Sequence, residues 1–343
     1  MADDQATDFL ALSGPIDNGV SNRLAEELCY VANRTSYAEA HTIVVERRNI
    51  KLCVMTVHRI VQQVAKDAER VVAQTLSDTA NRPMPPMADA EQIDVYDPEA
   101  AEVLVMEDGV LAKAQKPQRH PDCQRPTRFI ATNMATLLLP DGRYHRVSES
   151  RERKGAGSFT VSDALRAAVI QHWGQAREPL RIVAVTDGAS SIRKHLREVF
   201  GEHVVLILDW YHLTKKLQVL LSRICWGNQQ RKSVQSEMSG LLWRGQVSEA
   251  LKVLRSLKAR NPLKAQELDG YLTKHRHEII DYERRQKAGK TIGSGRMEKV
   301  VDQAVALRQK RKGMSWTEAG SRSLTHLRTV ELNGMWDEFW QAK

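Results

Sequence analysis

The apolar residues in the first part of the chain recur with helical spacing. Ser36 and Glu39 form a capping-box pattern at the start of one amphipathic segment, Asn49 interrupts that segment, and a second amphipathic segment follows. A helix, a short turn and a helix are compatible with a helix-turn-helix, and equally with any three-helix packing unit. We predict an all-α region over residues 1–76 that contains a helix-turn-helix, with Arg59 as a DNA contact.

The middle of the chain changes to strand-like patterning. Residues 77–100 are rich in Pro, Asp and Ala, which predicts a linker. Strands and helices then alternate: a strand in VLVMEDGV, two strands joined by a Pro-Asp-Gly-Arg turn, a helix, a strand in RIVAVTDG, a helix and a strand in HVVLIL. This order predicts an α/β core over residues 101–212. Only helical periodicity follows, so we predict an all-α insertion over residues 213–290 and C-terminal core helices over residues 291–343.

The net charge of +9 is unevenly distributed. Residues 1–100 carry 9 Lys and Arg against 16 Asp and Glu, whereas the remaining chain carries 42 against 26. A basic surface of this kind suits a polyanionic partner such as DNA. A solvated, Lys-rich helical face would give the same composition.

Several classes of protein are disfavoured by the sequence. The four cysteines have no Cys-x-x-Cys spacing, which argues against a disulfide framework or a structural zinc site and fits a reducing compartment. The longest apolar stretches are only strand-sized, and the acidic N-terminus lacks the basic region of a secretory signal. We therefore expect a cytoplasmic protein without a membrane segment.

Three acidic residues are the candidates for catalysis. Asp108 and Asp187 each end an apolar run and precede Gly, which predicts a carboxylate at a strand tip followed by a sharp turn. Glu298 follows Gly-Ser-Gly and opens a helical pattern. Phosphoryl transfer on DNA uses two divalent cations about 3.5–4 Å apart, held by hard oxygen ligands. Taken singly, these residues could instead be an ordinary turn, a helix cap and a surface side chain.

Two longer segments carry a family resemblance. VTDGASSIRKHLREVFGEHVVLILDWYHLTKKL resembles the core of bacterial insertion-sequence transposases, the DDE enzymes of the ISKra group that are related to Mutator transposases. TIGSGRMEKVVDQAVALRQKRKGMSW and LRTVELNGMWDEFW are similar to their C-terminal block, so the resemblance runs from about Glu102 to the C-terminus. It implies an α/β RNase H-like catalytic core with an all-α insertion, preceded here by the all-α helix-turn-helix region. It also implies a nucleoid-associated bacterial protein.

The resemblance also implies roles for individual residues. Asp108, Asp187 and Glu298 match the three catalytic acids, which would bind two Mg²⁺ or Mn²⁺ ions. Asp209 and His212 lie where related Mutator enzymes carry a Cys/His pair, which favours either a structural role or a contact with the metal ligands, DNA or a transferred proton. Asp187 and Asp209 remain alternatives for the second metal ligand, and the strand-then-Gly context favours Asp187.

A basic run near the C-terminus is the second candidate DNA contact. Arg308, Lys310, Arg311 and Lys312 precede Trp316, a combination that can bind phosphates and stack on an unpaired base. The alternative without DNA contact is that the cations are solvated and that Trp316 packs against the start of a helix.

The sequence therefore predicts a transposase that cleaves insertion-sequence ends and transfers strands on double-stranded DNA, as a homodimer or a larger assembly. The alternatives are a non-catalytic DNA-binding protein derived from a transposase and a structure-specific nuclease on the same fold. The chain starts closer to its helix-turn-helix than relatives of this group, so we expect either a shorter variant or a truncated copy.

Overall fold

The computed structural model describes residues 20–116, 128–150 and 159–343. The first 19 residues of the predicted N-terminal region lie outside this part of the chain. The helices are α1 Asn22–Ala32, α2 Tyr37–Ala40, α3 Val54–Thr79, α4 Val161–Trp173, α5 Ser190–Phe200, α6 Trp210–Ile224, α7 Asn228–Trp243, α8 Val247–Ser256, α9 Pro262–Lys274, α10 Tyr282–Lys287, α11 Gly295–Val301, α12 Leu307–Gln309, α13 Glu318–Leu332 and α14 Trp336–Gln341.

Five strands form one mixed sheet at the centre of the fold. They are β1 Val103–Lys113, β2 Phe129–Leu138, β3 Tyr144–Ser148, β4 Ile182–Thr186 and β5 Val204–Leu208, arranged in the order β3-β2-β1-β4-β5. β1, β2 and β3 pair antiparallel, whereas β4 runs parallel to both β1 and β5. The predicted alternation of strands and helices, including the hairpin turn at Gly142, is thus present.

The side chains of β1 divide between two cores because successive strand residues point to opposite faces. Val103 and Val105 pack with α4 and α5 in one hydrophobic core. Leu104 and Met106 pack in the other with the insertion helices and α11. Asp108 follows Leu104 and Met106 in this alternation. Its side chain therefore lies on the face of the sheet that α11 and the insertion cover.

One feature of β1 differs from the prediction. Asp108 is not at a strand tip: β1 continues to Lys113, and Gly109 pairs with Asn133 of β2 instead of making a turn. β4, however, pairs with β1 only from Val103 to Met106. Asp108 therefore lies just beyond the region where β1 has neighbours on both sides, and its carboxylate reaches the open edge next to the end of β4.

The N-terminal helices pack against the C-terminal ones. Ser36 and Glu39 form the predicted capping box, and Asn49 adopts a left-handed conformation with φ 54° that ends the helical segment after α2. α3 packs along α13, and their buried residues form a third hydrophobic core that includes Trp340 and Trp316.

Residues 77–100, predicted as a linker, are tied to the core. α3 continues to Thr79, Met87 bridges to Leu180, and Ile93 and Val95 are buried with the insertion-side core. The stretch contains one short 3₁₀ turn and no longer helix, in keeping with its Pro content.

The insertion consists of helices α6–α10 and begins at Trp210. Its return to the sheet is fixed by Arg285, which is fully buried. The guanidinium donates to the backbone oxygens of Val95 and Thr291, and its two Nη atoms donate to Glu102 at 2.5 and 3.2 Å. Each nitrogen of this buried guanidinium thus has an acceptor. None of the helices in the described ranges has the length and apolar character needed to cross a membrane.

Candidate active site

Asp108 and Asp187 come from neighbouring parallel strands. Asp187 directly follows β4 and its Oδ1 accepts a hydrogen bond from the Ala189 backbone N–H at 2.7 Å. Asp108 Oδ1 accepts from the Gly109 N–H at the same distance. Each carboxylate is half-buried, and its other oxygen has no hydrogen-bond donor within the described chain. Both side chains are therefore held at one oxygen and free at the other.

Glu298 reaches the same region from the opposite end of the sequence. It lies in the first turn of α11, whose buried residues Met297, Val300 and Val301 pack against the insertion-side core, and α11 contacts β1. The Glu298 side chain is exposed. The local fold thus anchors the helix by its apolar face and leaves the carboxylate on the outer side.

The three acids share one electrostatic environment. Burial raises the pKa of Asp108, and the negative charges of Asp187 and Glu298 raise it further against the opposing effect of the Gly109 N–H and His212. No Lys or Arg in the described residues forms an ion pair with any of the three acids. Mutual repulsion without a neutralising side chain is the condition in which a cation would be stabilising.

The acids do not form a complete ligand cage. Within residues 20–116, 128–150 and 159–343, no group of three or more His, Cys, Asp or Glu side chains is arranged to hold a metal ion. The structure thus brings the predicted residues into one neighbourhood without bringing their carboxylates into coordinating positions.

Asp209, unlike Asp108 and Asp187, accepts hydrogen bonds at both of its carboxylate oxygens. Its side chain is 1% exposed, Oδ1 accepts from the His212 N–H at 2.9 Å, and Oδ2 accepts from the Ser294 N–H. Burial alone would raise the pKa of Asp209, but interactions with the side chains and the backbone N–H groups of His212 and Ser294 outweigh it and lower the pKa to about 2. With both oxygens engaged by backbone donors, Asp209 is placed to join α6 to the segment that leads into α11.

His212 connects Asp209 to the acid cluster. Its Nδ1 lies 3.4 Å from Asp209 Oδ1. The Asp209 carboxylate raises the pKa of His212, and the charges of Asp187 and Glu298 add to this effect. The imidazole is thus more readily protonated than a free histidine and lies beside the carboxylates.

A buried pair behind Asp108 was not predicted from the sequence. Glu107 points to the opposite face of β1, where His195 Nδ1 of α5 lies 2.5 Å from its Oε1. Burial raises the pKa of Glu107 to about 7 despite His195, and its Oε2 has no partner. An acidic residue inside the apolar run VLVMEDG was the available signal.

The insertion also contacts the Asp187 turn. His275, just after α9, is 1% exposed, and its ring lies 2.9 Å from the position that a Cβ on Gly188 would take. His275 Nδ1 lies 2.6 Å from Glu278 Oε2, and Glu278 also pairs with Arg193 of α5 at 2.8 Å. Burial and the Asp187 charge raise the pKa of Tyr271 to about 12. α9 therefore covers this side of the site, which no periodicity in the sequence indicates.

The predicted DNA-contacting residues fall into two groups. Arg59, Lys310 and Lys312 are exposed, and Arg311 is exposed but paired with Glu39 at 3.2 Å. Arg308 and Trp316 are buried, at 2% and 8% exposure. Contact with duplex DNA at the surface thus remains a prediction for the exposed cations, whereas Arg308 and Trp316 lie inside the protein.

Comparisons with known proteins add a family match. Residues 173–340, slightly less than half of the chain, match a family described as an uncharacterised protein family, UPF0236. This segment contains Asp187, Asp209, His212 and Glu298. The chain is thus similar to this family over the second half of the core, the insertion and the C-terminal helices.

One solved structure is similar to the chain over most of its length. It is described as the Drosophila P element transposase strand transfer complex, with 9% identity, 95% of this chain and 81% of that chain covered, and a TM-score of 0.29. A similarity at this TM-score does not establish a shared fold. A search of curated proteins finds no match.

Replacing Asp209 with Asn tests its joining role. The amide nitrogen cannot accept from the Ser294 N–H, so we expect a loss of about 2 kcal/mol in unfolding free energy at neutral pH. Because the pKa of Asp209 is lowered to about 2 from 3.8, its stabilising effect is complete above about pH 4 and is lost as the pH falls toward 2. Denaturant titrations of wild type and Asp209→Asn across this range measure the difference. A difference that grows on acidification would contradict this role.

The Gly188 turn gives a second test. Gly188 has φ +84°, and an added Cβ would lie 2.9 Å from both His275 and Leu208. We expect Gly188→Ala to cost about 3 kcal/mol of unfolding free energy, from backbone strain and overpacking. Gly142→Ala is the matched control because its φ is +81° and nothing lies within 4 Å, so only strain of about 1 kcal/mol remains. Equal costs for the two variants would show that His275 does not pack tightly on this turn.

Proposed function

We propose that this protein is a transposase that cleaves and joins DNA at insertion-sequence ends by metal-dependent phosphoryl transfer. The observation that carries the proposal is the convergence of Asp108, Asp187 and Glu298, three acids from distant parts of a basic chain, without a neutralising cation. The sheet order and the α-helical insertion between β5 and α11 support the RNase H-like core that the sequence resemblance implies.

The donor set fits divalent magnesium or manganese by its chemistry. Carboxylate oxygens are the ligands these ions prefer, and Mg²⁺ needs only one or two of them because it keeps several waters. Asp108 and Asp187 would supply these ligands from adjacent strands, and Glu298 would supply a third from α11. Bound divalent ions supply a Lewis acid for the phosphate and lower the pKa of water.

The remaining residues of the site position these acids and handle protons. Asp209 holds the Ser294 N–H, one turn before Glu298, and so fixes where α11 begins. His212, with its raised pKa, is suited to contact a phosphate oxygen or carry a proton beside the acids. In the first step water attacks a phosphodiester at the element end, and the 3′-hydroxyl leaves. In the second step this hydroxyl attacks a phosphodiester of the target DNA and forms a new bond to its phosphorus, and the 3′-oxygen of the target strand leaves as a new 3′-hydroxyl.

DNA binding is assigned to the exposed cations. Arg59 lies on α3, and Lys310 and Lys312 lie on the turn before α13. Since two ends must be brought together for strand transfer, the active form is a homodimer or a larger assembly.

A non-catalytic DNA-binding protein derived from a transposase is the second candidate. The observation that favours it is the lack of an assembled ligand group among the described acids. It differs from the first proposal in predicting DNA binding without cleavage.

Cleavage of a supercoiled plasmid carrying the element's own ends distinguishes the candidates. With Mg²⁺, we expect wild type to nick at the ends, and Asp108→Asn, Asp187→Asn and Glu298→Gln each to lose more than about 100-fold in rate, since even residues behind a metal ligand cost 10–100-fold. Glu237→Gln, which neutralises an exposed acid on α7, is the control and should cut normally.

Binding of the same DNA is measured in parallel. Wild type that binds the ends but does not cut would favour the non-catalytic protein. Cutting that is independent of the ends and yields no joined product would favour a structure-specific nuclease.

A further inference from the structure

A cavity of about 490 Å³ lies between the N-terminal helices and the turn before α13, away from the acid cluster. Its polar lining comes from the side chains of Ser36, His58, Gln62, Gln115, Arg308 and Thr317. Aromatic and apolar surface comes from Tyr37, Met314 and Trp316. None of its described lining residues is acidic, and the carboxylate of Glu39 acts on Arg308 from outside the lining.

Arg308 is a buried cation without a counter-ion. It is 2% exposed, and no carboxylate of the described residues lies within ion-pair distance of it. Its guanidinium lies 4.9 Å from the Tyr37 ring centre and 4.8 Å from that of Trp316. Cation–π contacts of this kind offset part of the cost of burial. Burial nevertheless lowers the pKa of Arg308, and the positive charge of Arg311 lowers it further against the opposing effects of Tyr37 and Glu39.

The hydrogen bonds of Arg308 are also incomplete. Nε donates to the Ala32 backbone oxygen at 2.7 Å, and Nη1 contacts the sulfur of Met314, a weak acceptor, at 3.1 Å. Nη2 is buried and has no acceptor. A buried donor left unpaired costs free energy that an added acceptor would recover.

The other deeply buried arginine provides an internal comparison. Arg285 has acceptors for Nε and both Nη atoms, and Glu102 neutralises its charge. Arg285 thus has a counter-ion and an acceptor for each nitrogen. Among the described residues, Arg308 has no carboxylate at ion-pair distance and no acceptor for Nη2. The difference places the missing group at Arg308 in the class of anionic oxygen ligands.

His58 provides a second unsatisfied group on the same cavity. Its Nδ1 is buried without a partner, and its ring meets Tyr37 edge-on at 4.8 Å. Tyr37 lies between His58 and Arg308, so both unsatisfied groups lie around one aromatic side chain.

We propose that this cavity binds a phosphate group, with Arg308 and His58 as its principal donors. A guanidinium presents paired N–H groups that match two phosphate oxygens, and Ser36 and Thr317 also line the cavity. The phosphate belongs either to a nucleic-acid backbone or to a free phosphate or phosphomonoester. This site goes beyond the proposed function and does not depend on cleavage.

The test uses inorganic phosphate as the probe and thermal unfolding of the full chain as the readout. Wild type should be stabilised in a saturable way by phosphate relative to chloride at equal ionic strength and pH, because a ligand of the folded state raises Tm. Arg308→Gln should weaken the apparent affinity at least about tenfold, the size expected for losing a charge-assisted hydrogen bond.

Two further variants make the result specific. Arg47→Gln removes an exposed positive charge after α2, outside the cavity lining, and should keep the phosphate response. His58→Ala changes a partly exposed residue and should weaken the response, so it decides the outcome if Arg308→Gln does not fold. No saturable response in wild type, or the same response in wild type and His58→Ala, would overturn the proposal.

Competition identifies the source of the phosphate. If phosphate displaces a fluorescent oligonucleotide from wild type but not from Arg308→Gln, a nucleic-acid phosphate occupies the cavity. If phosphate stabilises the protein without displacing the oligonucleotide, the occupant is a free phosphate or phosphomonoester.

Discussion

Asp209 is the residue that joins the sheet, the insertion and the start of α11 beside the candidate site. Its own N–H donates to the Thr186 oxygen at the end of β4, and its side chain accepts from the backbone of His212 and Ser294. One residue thus fixes the last two parallel strands, the start of the insertion and the entry to α11. This junction adds to the apolar packing of α11 that places Glu298 near Asp108, which is 190 residues earlier in the chain.

The insertion needs further anchors because it separates β5 from α11 by five helices. The Tyr282 hydroxyl donates to the Leu208 oxygen at 2.7 Å, and the Leu208 N–H donates to the Glu278 oxygen. Arg285 then closes the insertion onto Glu102, directly before β1. The chain therefore leaves and re-enters the sheet at points held by buried hydrogen bonds. This rigidity lets an exposed Glu298 occupy a defined region without being buried itself.

Local patterns allowed most elements to be predicted. Alternating apolar runs and turn residues predicted the order of strands and helices around the hairpin, and the capping box at Ser36 was correct. Local sequence could not show that Asp108 lies within β1, because its Gly109 fits a turn and a paired strand equally well. Tertiary packing decided between them. The grouping of Asp108, Asp187 and Glu298 was predicted from their strand-then-Gly and Gly-Ser-Gly contexts, and the resemblance added their roles.

The sequence could not show which cations of the C-terminal basic run are buried, for a similar reason. Arg308 and Lys310 belong to one basic run, yet one is buried between aromatic rings and the other is exposed. Arg308 lies on the short helix α12. The face of α12 that packs against the N-terminal helices depends on contacts some 270 residues away in sequence, such as that of Arg308 with Ala32. The contact of the His275 ring with Gly188 also depends on long-range packing, so it could not be predicted from the sequence.

The central claim is that Asp108, Asp187 and Glu298, and not Asp209, form a divalent-cation site. Binding of Mn²⁺ to the DNA-free protein, followed by electron paramagnetic resonance, tests it most directly. We expect wild type to bind Mn²⁺, folded Asp209→Asn to retain binding, and Asp187→Asn to lose it. Binding that survives Asp187→Asn but disappears in folded Asp209→Asn, or no binding by wild type, would contradict the claim.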